Sequence, residues 1–244
     1  MSVLVQLYVM NTGSPPTWPF VLAGGLLLSS SVLGWAFVEG RRPQGTVEVT
    51  GAATVPFTSD VVKWRVQLVR QVTPGGEVEG YARLREDRAR FLDHLAAASV
   101  PDDDVSVQPV TTNPVYDRDG RVTGTQLRQP ILVVSRAVGA VESLALDPGD
   151  LIRSGLGLEG SQLEYFYEAI GELKRSLLEQ AAADARARAA EIAGSALGDM
   201  IEARAGVFQI REPYSTEVQS YGVHSTGTRA KEITVTVHAT FGLR

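Results

Sequence analysis

The chain has 244 residues, a formal net charge of −5 and no cysteine. Without cysteine it can form no disulfide, no thiolate metal site and no cysteine nucleophile. Nucleic-acid binding requires a positive surface, so the acidic balance argues against a nucleic-acid partner. Hydrophobic residues make up 44% of the sequence, which is enough for one good-sized core or two small ones.

The first landmark is an uncharged stretch of 21 residues, 18–38. As a helix it would span about 30 Å, the thickness of a bilayer's hydrocarbon core. Residues 1–17 contain no Lys or Arg, whereas a cleaved signal peptide begins with a basic region. We predict an N-terminal tail at 1–17, an uncleaved transmembrane anchor at 18–38 and a linker at 39–45. A cleaved signal peptide and a buried core helix are the alternatives.

From Thr46 the pattern becomes β-like. Residues 46–55 and 59–72 alternate between apolar and polar positions, which is typical of half-buried strands. Residues 77–98 place apolar side chains at helical spacing and predict an amphipathic helix. Pro101 disfavours helical geometry at Val100 and so ends it.

The middle of the chain predicts a hairpin, a short helix and an aromatic strand. Strands are expected at 105–110 and 129–137, with a tight turn at Asp119-Gly120 between them. A short helix from residue 138 should end at Pro148-Gly149. Residues 156–169 predict a strand that carries Tyr165, Phe166 and Tyr167, which could line a ligand groove but fit a core position better.

The strongest helix is predicted at 169–197, with a seam of small and apolar residues: Leu173, Leu177, Ala181, Ala185, Ala189, Ile192 and Ala196. Packing against its own sheet is favoured over an oligomer seam, and Gly198 is the expected stop. Strands follow at 200–210 and 233–241. Helices between strand pairs predict an α+β domain over 46–244, a mostly antiparallel sheet with packed helices.

Several segments, in this order, resemble one bacterial family: VEVTGAATV at 47–55, NPVYDRDGRVTG at 113–124, DARARAAEIAGSALG at 184–198, GVFQIREPYSTEVQSYG at 206–222 and KEITVTVHATF at 231–241. Together they are similar to SIMPL-domain proteins, relatives of periplasmic immunogenic and oxidative-stress proteins. The chain departs at 51–53, where Gly-Ala-Ala replaces the Gly-Glu-Gly or Gly-Glu-Ala common in relatives. The resemblance implies a location outside the cytoplasm and, for some members, ring-like oligomers. It supplies no catalytic residues.

The predicted orientation rests on two opposing indications. Arg41 and Arg42 follow the apolar stretch, and the positive-inside rule alone would put the large domain in the cytoplasm. The resemblance implies the opposite side. We predict a single-pass bacterial membrane protein whose large domain is extracytoplasmic, in the periplasm or at the cell surface.

The sequence offers no strong constellation for chemistry. His94, His224 and His238 fall on separate predicted elements, and Asp102-Asp103-Asp104 lacks the spaced ligands of a calcium loop. The Gly-rich run at 155–160 lacks phosphate-loop spacing, and no G-x-S-x-G elbow is present. We therefore predict no metal, no cofactor and no enzymatic activity.

The connection between the last two predicted strands, from about 211 to 229, is unusually long for a compact domain, and such loops are functional or mobile. We single out Tyr214, Glu217, Tyr221 and His224 as a candidate partner-contact loop, with the two tyrosines expected to pin it to the domain. The predicted function is a non-enzymatic role in envelope maintenance or stress protection, through self-assembly or an unknown envelope protein. The alternative is a binding module for a small apolar ligand or peptide.

Overall fold

The structure, a computed structural model, describes residues 18–40 and 45–244. The chain divides into two compact units, residues 1–45 and 46–244. The predicted tail at 1–17 and residues 41–44 of the predicted linker lie outside the described residues. Arg41 and Arg42, on which the orientation argument depends, are among them.

The first unit contains helix α1, Trp18–Gly40. The side chains described along this helix are largely apolar and exposed, and Leu26, Leu28 and Leu33 are each 70% exposed. Among the described residues, no helix combines the length and the apolar character needed to cross a membrane. The transmembrane assignment of residues 18–38 stays a prediction from the sequence.

The second unit is built from ten strands and four α-helices within residues 45–244. In chain order they are β1 (Thr46–Thr58), β2 (Val61–Val72), α2 (Glu77–Ala97), β3 (Val105–Val107), β4 (Thr111–Tyr116), β5 (Val122–Ser135), α3 (Val138–Leu146), α4 (Gly149–Arg153), β6 (Leu158–Phe166), α5 (Ile170–Ala193), β7 (Leu197–Ala205), β8 (Gln209–Arg211), β9 (Val223–His224) and β10 (Ala230–Leu243).

The strands form two five-stranded sheets where the sequence predicted one. Sheet A has the order β1-β10-β8-β9, with β7 also paired to β10, and sheet B has the order β3-β5-β2-β6, with β4 also paired to β5. Of the strand pairs in the described residues, β8–β9 alone is parallel. The predicted α+β class with mostly antiparallel strands is confirmed. The prediction of a single sheet was wrong, because β1 and β2, separated by two residues, join different sheets.

Helix α5 covers one face of sheet A and forms the first hydrophobic core. Leu177, Ala181, Ala185 and Ala189 are fully buried against strand residues such as Phe241. The preference for packing on its own sheet is thus confirmed. The seam is shorter than expected, because Ile192 is 67% exposed and the helix ends at Ala193. The next residue, Gly194, has a φ of +57° that suits glycine, and it stops the helix four residues before the expected Gly198.

Sheet B forms the second core with α2 and α3. Trp64 from β2 and Phe91 from α2 are buried there, with ring centroids 5.5 Å apart, and Leu127 and Ile131 of β5 pack beside them. Asp87 is also buried on α2, where Arg70 and Arg90 donate to its carboxylate. Burial would raise the pKa of Asp87, but these hydrogen bonds outweigh it and hold that pKa below its usual value.

The two sheets meet where β6 approaches the start of β10. The Tyr165 amide donates to the Thr226 carbonyl at 2.9 Å, and the Ser59 amide donates to the Arg229 carbonyl at 2.9 Å. The buried Lys231 ammonium donates to the Tyr165 carbonyl at 2.5 Å, and desolvation lowers its pKa. Lys231 on β10 of sheet A therefore links to β6 of sheet B through a buried ammonium group.

Candidate partner-contact site

The candidate site is the loop of residues 212–222, which connects β8 to β9. The predicted strand at 200–210 is in fact β7 and β8, separated by residues 206–208. Gly206 allows this break, because a Cβ there would lie 2.5 Å from the Thr236 hydroxyl. The β8 strand then pairs with β10 on one side and β9 on the other, so the loop starts and ends beside the same three-residue strand.

Two side chains from β8 hold the loop. Gln209, only 7% exposed, donates from its amide to the Gln219 carbonyl at 2.8 Å. Arg211 donates to the Glu217 carbonyl at 3.2 Å and forms an ion pair with Glu232 at 3.4 Å. The loop backbone is thereby fixed to the open face of sheet A, opposite the face that α5 covers.

The expectation that tyrosines pin the loop is wrong. Tyr214 is 97% exposed and Tyr221 is 81% exposed, so neither ring packs on the domain. Tyr214 also has a φ of +64°, a left-handed conformation that is uncommon for a bulky residue. Such strain persists only where the surroundings impose it, and it concentrates at functional sites. The loop therefore presents its aromatic side chains outward on a backbone held from below.

The other two candidate residues differ in their placement. Glu217 is exposed in the loop, where its carboxylate accepts from the Gln219 amide at 2.5 Å. His224 belongs to β9, beyond the loop. Although His224 is exposed, desolvation by nearby protein atoms, and then the positive charges of Lys231 and Lys174, lower its pKa. The structure thus brings Tyr214, Glu217 and Tyr221 into one loop and leaves His224 at its end.

A groove of about 490 Å³ opens beside the loop on the same face of sheet A. Its lining is largely apolar and includes Val207 and Val218, which are 43% and 70% exposed. Arg211 contributes a polar end, and its buried Nε–H finds no acceptor among the described residues. Such a shape could hold an apolar segment with one oxygen acceptor.

The remaining candidate metal ligands lie in ordinary secondary structure. His94 lies on α2 and His238 on β10, where its Nδ1 lies 2.9 Å from the Thr50 hydroxyl. Across residues 18–40 and 45–244, no group of three or more His, Cys, Asp or Glu side chains could hold a metal ion. The Asp102–Asp104 run forms a single 3₁₀ turn before β3.

The aromatic strand belongs to a core, as the sequence favoured. Tyr165 is 5% exposed, and its hydroxyl donates to the Glu142 carboxylate at 2.8 Å. Burial and then this hydrogen bond raise its pKa to about 12. The alternative groove beside this strand therefore cannot use Tyr165 as a lining residue.

Sequence reasoning missed the two residues that build the site, Gln209 and Arg211. A single-sequence pattern treats both as ordinary polar positions of a short strand, because their partners are backbone carbonyls six to ten residues away. The useful signal was the length of the connection, which identified the loop without indicating what holds it.

A model of the SIMPL family, described as Protein of unknown function (DUF541), matches residues 47–241. No curated protein matches the chain.

Proposed function

The chain belongs to the SIMPL family, and from this premise we propose that residues 46–244 act as a non-enzymatic binding domain whose loop 212–222 contacts a partner protein. The family membership supplies no activity, so the proposal rests on the loop itself. Its main support is Tyr214, a fully exposed aromatic side chain on a strained backbone, in a loop that Gln209 and Arg211 hold at the carbonyls of Gln219 and Glu217. Exposed tyrosines on a preorganised surface are typical anchors of protein interfaces.

The loop proposal is tested by crosslinking in intact cells with the variant Tyr214→Ser/Tyr221→Ser. Because a few aromatic anchors carry most interface energy, crosslinked partner should fall at least about tenfold. Tyr116→Ser is the matched control, since Tyr116 is also a largely exposed tyrosine but lies on β4. Equal loss in both variants, or in neither, would contradict the assignment of this loop.

The location belongs to the same proposal. We place the domain on the extracytoplasmic side of a bacterial membrane, anchored through residues 18–38, where it would serve envelope maintenance or stress protection. Support comes from the 21 uncharged residues, from the exposed leucines along α1 and from the location that the family resemblance implies. Arg41 and Arg42 are the opposing indication.

Reporter fusions after Arg244 test this location. Alkaline phosphatase should be active in that position, and a reporter that works only in the cytosol should be silent. Membrane fractions should retain the fusion, and removal of residues 18–38 should release it. An active cytosolic reporter would contradict the extracytoplasmic orientation. Retention in the membrane fraction without residues 18–38 would contradict the assignment of those residues as the anchor.

A second candidate function is binding of a small apolar ligand or peptide, and the groove of about 490 Å³ beside the loop favours it. Native mass spectrometry of the gently extracted protein should then show a bound species that Val207→Asp removes and that Val134→Asp, at an exposed valine of β5, retains. Empty protein from several growth conditions would count against this function.

A further inference from the structure

A second groove runs along α2 on the sheet B side of the domain. It encloses about 390 Å³, and its lining includes Val78, Tyr81, Arg85 and Arg88. We call it the α2 groove. Val78 is 85% exposed and Tyr81 is 44% exposed, so the helix displays apolar surface that its own sheet does not cover.

Two arginines, Arg85 and Arg88, line the α2 groove. Among α2 arginines, Arg83 pairs with Glu79 and Arg90 pairs with Asp87. Arg85 and Arg88 have no ion pair with any residue that the structure describes, although Arg88 is half-buried. On a chain whose net charge is −5, this combination of apolar lining and two uncompensated guanidinium groups calls for an acidic, aromatic occupant.

The loop 212–222 has the matching chemistry. Its exposed side chains include Tyr214, Val218 and Tyr221, and its carboxylates are Glu212 and Glu217. In the described part of the chain, neither carboxylate is paired with a cation: Glu212 accepts from the Ser225 hydroxyl, and Glu217 accepts from the Gln219 amide. Loop and groove are therefore complementary in charge and in aromatic content.

The free edges of sheet A are poorly suited to joining two copies. The β7 edge has two register shifts against β10 and carries Asp199, Glu202 and Arg204. On β1, the Ala52 amide already donates to the Asp184 carboxylate at 2.8 Å. Bulges, charges and an occupied amide discourage strand addition at the β7 and β1 edges, whereas the loop and the groove present exposed side chains.

We propose that the loop 212–222 of one copy binds in the α2 groove of a second copy. This inference rests on the proposed function of the loop and names its partner as the same chain. The loop and the groove are different surfaces, so the contact is head-to-tail, and a joined pair retains one free groove on the first copy and one free loop on the second. Repetition of such a contact builds a closed ring or an open chain.

The first test measures the mass of the full chain in detergent by sedimentation over a range of concentrations. Arg85→Glu/Arg88→Glu should raise the dissociation midpoint at least tenfold, and Glu212→Arg/Glu217→Arg should do the same. The combination of all four changes should restore assembly, because both charges of the contact are then reversed. Arg118→Glu/Arg175→Glu, two exposed positions outside both surfaces, changes the net charge by the same amount as Arg85→Glu/Arg88→Glu and should leave the mass unchanged.

The second test establishes the head-to-tail arrangement. Tyr214→Ser/Tyr221→Ser protein lacks a competent loop, and Arg85→Glu/Arg88→Glu protein lacks a competent groove, so each alone should be monomeric. Mixed, they retain one working contact and should form a dimer and nothing larger. Larger assemblies from the mixture, or a wild-type chain that stays monomeric at high concentration, would overturn the inference.

The two proposals fail in distinguishable ways. If loop variants lose crosslinks to another protein while groove variants assemble like the wild type, the loop proposal stands and the second-copy proposal is wrong. If loop variants change neither the crosslinks nor the mass, both are wrong.

Discussion

At the scale of single residues, Gly51 and Asp184 explain how α5 comes so close to sheet A. A Cβ on Gly51 would overlap the Ala181 carbonyl oxygen and would lie 2.8 Å from the Ala185 Cα. Beside it, the Ala52 amide at the outer edge of β1 donates to Asp184, which Arg188 also contacts at 2.8 Å. These hydrogen bonds, from Ala52 first, hold the pKa of Asp184 below its usual value. Two segments that carry the family resemblance thus meet at one contact.

Gly51→Ala should destabilise the domain by at least about 3 kcal/mol, since the added methyl group meets backbone atoms that cannot turn aside. Gly171→Ala, in the first turn of the same helix with open space around it, is the matched control and should be neutral or slightly stabilising. Urea unfolding of both variants measures the difference. Similar midpoints would show that α5 can move away without cost.

At the scale of elements, β10 organises sheet A. Its 14 residues pair with β1 along one side and with β7 and then β8 along the other. The interruption between β7 and β8 creates both the groove and the starting point of the loop 212–222. Because β9 pairs with β8 through only two residues, the strand pairing holds the loop weakly. The side chains of Gln209 and Arg211 hold the loop backbone instead.

Gln209→Ala should loosen the loop without unfolding the domain. Loss of the bond to the Gln219 carbonyl should speed amide hydrogen exchange in residues 212–222 about tenfold, the equivalent of roughly 1.4 kcal/mol. Gln180→Ala is the control, because that exposed side-chain amide donates to the Ser176 hydroxyl within its own helix. Unchanged exchange in the loop would mean that Arg211 alone holds it.

At the scale of the whole domain, two cores share one junction. Each sheet carries its own helix layer, and the two sheets meet at the contact of Lys231 on β10 with Tyr165 on β6. A buried ammonium with a lowered pKa is costly while it stays charged, because both folded and unfolded chains then bind the proton but only the folded chain desolvates it. The junction is therefore sensitive to pH.

Lys231→Met should change the pH dependence of stability. Since the pKa of Lys231 is lower in the folded chain than the ordinary 10.5, the unfolded chain binds more protons between the two values. The wild type should gain stability relative to Lys231→Met as the pH rises toward about 10.5, and the gain should stop above it. Chemical unfolding at several alkaline pH values measures this, and two parallel stability curves would contradict it.

The sequence by itself determined the α+β class, the Ala-rich face of α5 and the approximate position of the long loop, because apolar periodicity and local turn residues encode them directly. The order of the segments that resemble the SIMPL family indicated the family. Trp64 and Ile233 lie in the strands predicted at 59–72 and 233–241, and both are buried. Only the tertiary structure decided that β1 and β2 enter different sheets, that Asp87 and Lys231 are buried, and that Gln209 and Arg211 hold the loop. These outcomes depend on partners far away in the chain, on hydrogen bonds such as Lys231 to Tyr165 across 66 positions. Local sequence patterns cannot indicate such distant partners, because burial and hydrogen bonding bring them together only in the folded domain.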